Sequence, residues 1–311
     1  MFRRKGFFEP LAAALTIAAA AFCATPRAQA QLPQPLVNES TLKKVSDHVY
    51  VLMGFPNIGI VVGSRATLVI DTGLGARNGA TVVRVAQSLS KSPILYLTTT
   101  HFHPEHASGL QAFPPSTVLI RNTVQQEELE KLGPEMTDRF RNMSAQNKDL
   151  LQDVQLRPPD ILFDRELNLD LGGVTARLFW LGAAHTKGDE LIFIAEDSVL
   201  LPGDIVQDKL IPNLSNDDAS AKSWIADLDQ LAPLQPKLIV PDHGALGDAS
   251  LIAKERAFLV DLLDSALALK AQGKSADDAA QTIAAQFKTK YPDWAGNAVA
   301  SDVHRIYTGP Q

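Results

Sequence analysis

The chain has 311 residues, of which 45% are hydrophobic and 21% are charged, and its formal net charge is −6. These values are ordinary for a globular protein, and the length allows one large domain or two small ones. An acidic chain without a basic run is poorly suited to grip a phosphate backbone, so we expect a small-molecule substrate and no nucleic-acid partner.

Residues 1–30 differ from the rest of the chain. Arg3, Arg4 and Lys5 precede an apolar stretch that is too short to span a bilayer comfortably, and Ala28-Gln29-Ala30 offers an A-x-A cleavage site. We therefore predict a signal peptide over residues 1–30 that is cut near Ala30, a periplasmic or secreted protein, and no stable membrane insertion of the mature chain. An uncleaved membrane anchor is the alternative. The single cysteine lies inside this segment, so the mature chain can form no disulfide.

The first half of the remaining chain alternates strands and helices. Three β-branched runs between residues 45 and 71 predict strands in hairpin succession. Apolar residues at helical spacing predict a helix over residues 78–90. PILYLTTT at 93–100 predicts a strand that runs into a histidine cluster, and residues 117–120 predict another strand.

A polar segment at residues 123–154 has a helical pattern, and Gly133-Pro134 predicts a break in it. Strand character returns after it. We predict strands within 161–185, 189–204 and 236–244, an amphipathic helix over 220–233, and largely helical structure over 251–290. The order indicates two similar α/β halves with helices outside packed sheets.

Histidines and acids recur where predicted strands end. The stretch HFHPEH places His101, His103, Glu105 and His106 directly after one strand. Four other residues follow other predicted strands in the same way: Asp71, His185, Asp204 and His243. Because α/β proteins assemble sites at strand ends, we expect these side chains to converge. Imidazole and carboxylate without cysteine suit zinc, and also iron or manganese. Pro104 turns the chain within the cluster, so one segment can serve two neighbouring metal positions.

Five ordered blocks carry a family resemblance. VIDTG, THFHPEHASG, GAAHTKGD, LLPGD and VPDHG, within about residues 45–250, resemble the metallo-β-lactamase superfamily. The chain looks most like its secreted zinc metallohydrolases associated with quinoprotein relay systems. The resemblance implies an α/β fold, a four-layer αββα sandwich over residues 31–250 in which 123–154 is a helical insert, and a C-terminal helical extension over 251–311.

The resemblance also implies roles for the clustered residues. The first zinc would be bound by His101, His103 and His185; the second would be bound by Glu105, His106 and His243, with Asp204 bridging the two. Asp71 would hold the ligand loop by hydrogen bonds. The cofactor would then be Zn²⁺, about two ions per chain by this ligand set.

Three positions depart from the family pattern or extend it. The family usually has aspartate in place of Glu105, so the longer side chain leaves open whether the second site binds metal or Glu105 acts as a base. Asp242 stands where glycine is usual, beside His243, and could alter the hydrogen bonding of that histidine. Lys187 is a candidate for contact with an anionic substrate.

These observations predict a secreted zinc-dependent hydrolase that uses a metal-bound hydroxide to cleave an ester, thioester, lactone or lactam bond, with Glu105 and Asp204 as catalytic residues. A β-lactamase is the alternative within this class. Two other classes stay open: a mononuclear iron enzyme resembling persulfide dioxygenases, and a non-catalytic metal-binding partner of a relay system. The sequence predicts neither the substrate nor the oligomeric state.

Overall fold

The computed structural model describes residues 1–2, 36–92, 94–214, 216 and 219–309. Apart from residues 1 and 2, the predicted signal peptide lies outside these ranges, and so does its predicted cleavage site. Among the described residues, no helix combines the length and the apolar character needed to cross a membrane.

The first sheet has seven strands whose spatial order is their chain order. They are β1 (Leu42–Lys44), β2 (Val49–Leu52), β3 (Ile58–Val62), β4 (Ala66–Ile70), β5 (Ile94–Thr98), β6 (Val118–Asn122) and β7 (Ile161–Phe163). Strands β1 to β4 form an antiparallel meander, whereas β4 to β7 pair in parallel. The hairpin succession expected between residues 45 and 71 is confirmed by β2, β3 and β4.

The second sheet has five strands in the order β12-β11-β10-β9-β8. They are β8 (Glu166–Asp170), β9 (Thr175–Phe179), β10 (Leu191–Ile194), β11 (Val199–Leu201) and β12 (Leu238–Ile239). Neighbouring strands are antiparallel except β11 and β12, which are parallel and are connected through a helix.

Eight α-helices cover the two sheets within the described residues. They are α1 (Gly75–Leu89), α2 (Pro104–Ala107), α3 (Thr123–Met143), α4 (Ala145–Leu150), α5 (Ala221–Leu231), α6 (Ser250–Ala271), α7 (Ala276–Lys290) and α8 (Val299–Thr308). Helix α1 packs on the outer face of the first sheet, and α5 to α8 share a core with the outer face of the second.

Side-chain alternation along the strands explains why the layers form. In β10, Ile192 and Ile194 point into the core between the two sheets, while Leu191 and Phe193 point toward the helices. Strand β4 is buried along its whole length because it lies between α1 and the second sheet. The result is the αββα sandwich that the resemblance implies.

One sequence-based boundary is wrong. Helix α3 runs through Gly133 and Pro134, and the break falls at Ser144 instead. Proline removes one helical hydrogen bond, but Pro134 and Glu130, whose carbonyl loses that bond, are exposed, so water can replace it. The C-terminal region, expected to be helical, consists of α6, α7 and α8, and a turn separates α6 from α7.

Candidate metal centre

The turn after β4 organises the site through Asp71. This residue is fully buried and has a φ of +70°, a left-handed conformation that side chains other than glycine seldom adopt. Its carboxylate accepts hydrogen bonds from the backbone N–H of Thr100, at 2.7 Å, and from the Thr100 hydroxyl. Its Oδ2 also lies 3.0 Å from Nδ1 of His106. The strained turn thus fixes both ends of the histidine segment that follows β5.

Three histidines form one group: two follow β5, and the third lies in the loop after β9. His101, His103 and His185 each offer a ring nitrogen, and these atoms lie within 4.8 Å of one another. Nε2 of His101 is 3.0 Å and Nε2 of His185 is 3.3 Å from Nδ1 of His103. The Nδ1–H of His185 donates to the carbonyl of Asn213 at 2.9 Å, which leaves its Nε2 facing the group.

A second group lies beside the first. Glu105 and His106, both on the short helix α2, meet His243 from the loop after β12, with ligand atoms again within 4.8 Å. The ring of Phe55 stacks on His243 with centroids 3.9 Å apart and fixes its plane. The longer side chain of Glu105 therefore reaches the same group as its two expected partners.

Asp204 lies between the two groups. Its Oδ2 is 3.5 Å from Nε2 of His185, and its Oδ1 is 3.3 Å from Nε2 of His243. Burial opposes its ionisation, but His243 and His185 outweigh that effect and lower the pKa of this carboxyl to about 2. Each oxygen faces a different group, which is the arrangement that a bridging carboxylate requires.

Gln207 holds Asp204 and His243 together. Its Nε2 donates to Oδ1 of Asp204 at 2.7 Å, and its Oε1 accepts from the backbone N–H of His243 at 3.1 Å. Gln207 is 3% exposed. One amide thus joins the loop after β11 to the loop after β12.

The side chain of Asp242 contacts Thr100 and His106. Its Oδ2 lies 2.7 Å from the Thr100 hydroxyl oxygen and 3.2 Å from Nδ1 of His106. Burial, followed by the charge of Asp71, raises the pKa of Asp242 to about 7. The extra carboxyl therefore lies against the His106 ring.

The donor set fits metal ions. Burial and the neighbouring histidines lower the pKa of His101 and His103 well below 6.5, which favours the neutral imidazoles that bind metal. Among the described residues, Oε2 of Glu105 and Nε2 of His106 are buried polar atoms without a hydrogen-bond partner. Buried polar atoms are rarely left unsatisfied in proteins, and one cation within the second group would satisfy both of these atoms.

A cavity of about 230 Å³ opens above the two groups. Glu105 and Asp204 lie at its base, and two walls rise from parts of the chain whose role the sequence left open. The wall from the insert consists of Met136, Arg139, Phe140 and Met143 of α3; the opposite wall includes Leu210, Ile211 and residues 296–298. The insert and the C-terminal extension therefore both shape the cavity.

The structure thus brings together all seven predicted metal ligands, and Asp71 lies behind them as expected. The remaining two histidines lie elsewhere: His48 pairs with Asp197, and His304 pairs with Asp277. The side chain of Lys187 is not among those that line the cavity.

Sequence reasoning missed Gln207 as a support and Arg139 in the wall. It also missed Asn57, whose Nδ2 donates to the carbonyls on both sides of the His243 loop, Pro241 at 2.7 Å and Gly244 at 3.0 Å. Asn57 belongs to the block NIGIVVG, but a lone asparagine in a turn gives no signal of a partner 184 residues away.

A profile of the family described as the metallo-β-lactamase superfamily matches residues 52–243. A linear primary-alkylsulfatase of a Pseudomonas species is 25% identical over 219 residues, which cover 60% of this chain and 40% of that protein. A type 2 metallo-β-lactamase of Bacteroides fragilis is 19% identical over 249 residues, covering 76% of this chain and 92% of that protein. The chain thus spans well under half of the alkylsulfatase and most of the lactamase.

Among solved structures, a sec-alkylsulfatase from a Pseudomonas species superimposes with a TM-score of 0.68 at 17% identity. The superposition covers 87% of this chain and 50% of that one. At this identity the likeness establishes the fold.

Proposed function

Because the chain belongs to the metallo-β-lactamase superfamily, we propose that it is a metal-dependent hydrolase that binds two zinc ions and cleaves an ester, thioester, lactone or lactam bond of a small molecule. The observation that carries the proposal is the pair of three-ligand groups at the base of one cavity, with Asp204 between them.

His101, His103 and His185 would hold one ion, and Glu105, His106 and His243 would hold the other. Zinc bound there would supply Lewis acidity that polarises the scissile group and lowers the pKa of water. The chain keeps the histidines oriented through Asp71, Asn213 and Gln207, so the site is preorganised before a substrate enters.

Glu105 and Asp204 are the acids that we assign to the reaction. Glu105 lines the cavity, so we assign its carboxylate to proton transfer at the cavity base in addition to its place in the second group. Asp204 has one oxygen held by Gln207, which fixes the carboxylate plane across the two groups.

β-Lactam hydrolysis is the second candidate. It is favoured by the match that extends over 92% of a type 2 metallo-β-lactamase. Sulfate esters should be tested beside lactams, because an alkylsulfatase also matches this chain.

The test is hydrolysis by the zinc-loaded protein of a panel containing p-nitrophenyl esters, a thioester, an aliphatic lactone, nitrocefin and an alkyl sulfate. We expect turnover of at least one substrate, its loss on chelation, and its recovery when zinc is restored. His103→Ala should abolish the activity, whereas His304→Ala, outside the site, should retain it. Turnover that survives chelation or His103→Ala would refute the assignment.

We also propose that the protein acts outside the cytoplasm after removal of residues 1–30. The support is the charged start, the short apolar stretch and the A-x-A site. Expression in a Gram-negative host followed by intact-mass analysis of the periplasmic fraction should give a chain that begins at Gln31. A full-length chain retained in the cytoplasm would refute this.

A further inference from the structure

The wall that α3 contributes to the cavity is apolar except for one cation. Met136, Arg139, Phe140 and Met143 are spaced by three and four residues, so they share one face of the helix. The ring of Phe140 lies 6.1 Å from the ring of His103, which places this face directly beside the first group of histidines. Met143, at the far end of the face, is 55% exposed.

The apolar part of this face is long enough to receive a chain or ring. From Met136 to Met143 the helix advances by about 10 Å, which is enough to lie along a chain of roughly eight carbons. Leu210 and Ile211 also line the cavity, so an apolar group entering here would meet further apolar side chains.

Arg139 differs from every other arginine in the described residues. The other ten have a hydrogen bond, an ion pair or an aromatic ring as partner. In those same ranges, no such partner is seen for Arg139, and it is the only lysine or arginine that lines the cavity. A guanidinium that lines a cavity and is not paired with the protein's own acids is suited to an anion of the ligand.

We propose that Arg139 selects substrates in which an apolar body carries a negative charge remote from the scissile bond. The inference rests on the proposed function, since it names the substrate class of that same site. The scissile group would meet Glu105 and Asp204 at the base, the apolar body would contact Met136 and Phe140, and the charge would meet Arg139.

The experiment is calorimetric titration of the zinc-loaded mature protein with octanoate, octan-1-ol and octylammonium below their aggregation concentrations. We expect octanoate to bind about fivefold more tightly than octanol, as for a partly exposed ion pair, with octylammonium the weakest. Arg139→Gln should remove the preference for octanoate, and Arg139→Lys should restore most of it. Lys131→Gln, which removes an exposed cation of the same helix outside the cavity, should leave binding unchanged.

Equal binding of octanoate by the wild type and Arg139→Gln would overturn the inference, because a carboxylate that went to the zinc ions would give that result. So would binding of octanol as tight as that of octanoate. These titrations need no turnover. The two proposals can therefore fail separately. If no substrate of the panel is hydrolysed but Arg139→Gln still loses the preference for octanoate, the proposed hydrolysis is wrong and the role of Arg139 in binding the ligand's charge is retained.

Discussion

Glu128 connects the helical insert to the loop that carries the metal-site residue His185, so we expect it to affect both stability and metal binding. It lies on α3 and is 4% exposed, and its two carboxylate oxygens accept from the backbone N–H groups of Lys187, at 2.9 Å, and Gly188, at 2.7 Å. These residues belong to the loop that carries His185. A Cβ on Gly188 would come within 2.4 Å of the Gln125 nitrogen, so helix and loop have no space between them.

Replacing Glu128 with alanine leaves two N–H groups without their acceptor. The Gly188 N–H is buried, and an unsatisfied buried donor costs about 1–3 kcal/mol. The Lys187 N–H is partly buried and can turn to water, so its loss adds about 0.5–1.5 kcal/mol. We therefore expect Glu128→Ala to lower the free energy of unfolding by about 2–4 kcal/mol, and to weaken zinc binding about tenfold or more because His185 loses its support.

The assay combines urea unfolding of the metal-free protein with competition for zinc against a chromophoric chelator. Glu128→Gln keeps one acceptor oxygen and should fall between the wild type and Glu128→Ala in both measurements. Glu127→Ala, an exposed change on the same helix, is the matched control. The reasoning is refuted if Glu128→Ala unfolds like the control, or if it is destabilised but binds zinc as tightly as the wild type.

Three further outcomes follow from the structure. Gln207→Leu should lower kcat about tenfold with little change in the secondary structure, because Asp204 loses the amide that fixes its oxygen; steady-state kinetics and circular dichroism check this. Trp224→Ala should lower the free energy of unfolding by about 3–5 kcal/mol in urea, since the indole is fully buried and donates to the carbonyl of Ile205. Burial raises the pKa of Glu190 to about 8, so this residue favours the folded state while it is protonated. The free energy of unfolding of the wild type should therefore fall as the pH rises from about 4.5 through 8. In Glu190→Gln this fall should be smaller by at least about 1 kcal/mol.

The pH prediction has a structural basis beyond burial. The Thr98 hydroxyl has one hydrogen but two acceptors within reach, the Ile120 carbonyl at 3.1 Å and Oε1 of Glu190 at 2.5 Å. A protonated Glu190 can donate to Thr98, and Thr98 can then donate to Ile120. Urea titrations at pH 5 and pH 8 decide the matter, and equal pH dependence in the wild type and Glu190→Gln would contradict it. A wild-type kcat in Gln207→Leu would contradict the prediction for Gln207. A wild-type free energy of unfolding in Trp224→Ala would contradict the prediction for Trp224.

Periodicities in the sequence predicted α/β halves with helices outside packed sheets, whereas the four-layer sandwich was implied by the family resemblance. β-Branched runs such as NIGIVVG have a period of two, and turn residues separate them, so their pairing in hairpins could be expected. The break expected at Pro134 is absent because a proline destabilises a helix interior only locally, through one lost hydrogen bond and a steric clash. The burial of Leu129 and other residues of α3 stabilises the helix by more than this cost.

The predicted ligands came together because each follows a strand, and the ends of those strands meet at one edge of the fold. The supports of the site could not be predicted in that way. Gln207 and Asn57 act through hydrogen bonds to backbone atoms, which leave no residue pattern in the sequence. Arg139 lies on the helical insert, and only the folded structure shows that this insert lines the cavity. The sequence instead suggested Lys187 for contact with an anionic substrate. Asp242 was noticed, but only the direction of its side chain shows that it contacts His106.

The central claim is that Glu105 completes a second zinc site instead of disabling it. The most direct measurement is elemental mass spectrometry of the protein purified without added metal, with Glu105→Asp analysed in parallel. The account predicts about two zinc ions per chain in both proteins, because the Glu105 carboxylate already lies with His106 and His243. One iron per chain, or one zinc in the wild type that becomes two in Glu105→Asp, would contradict it.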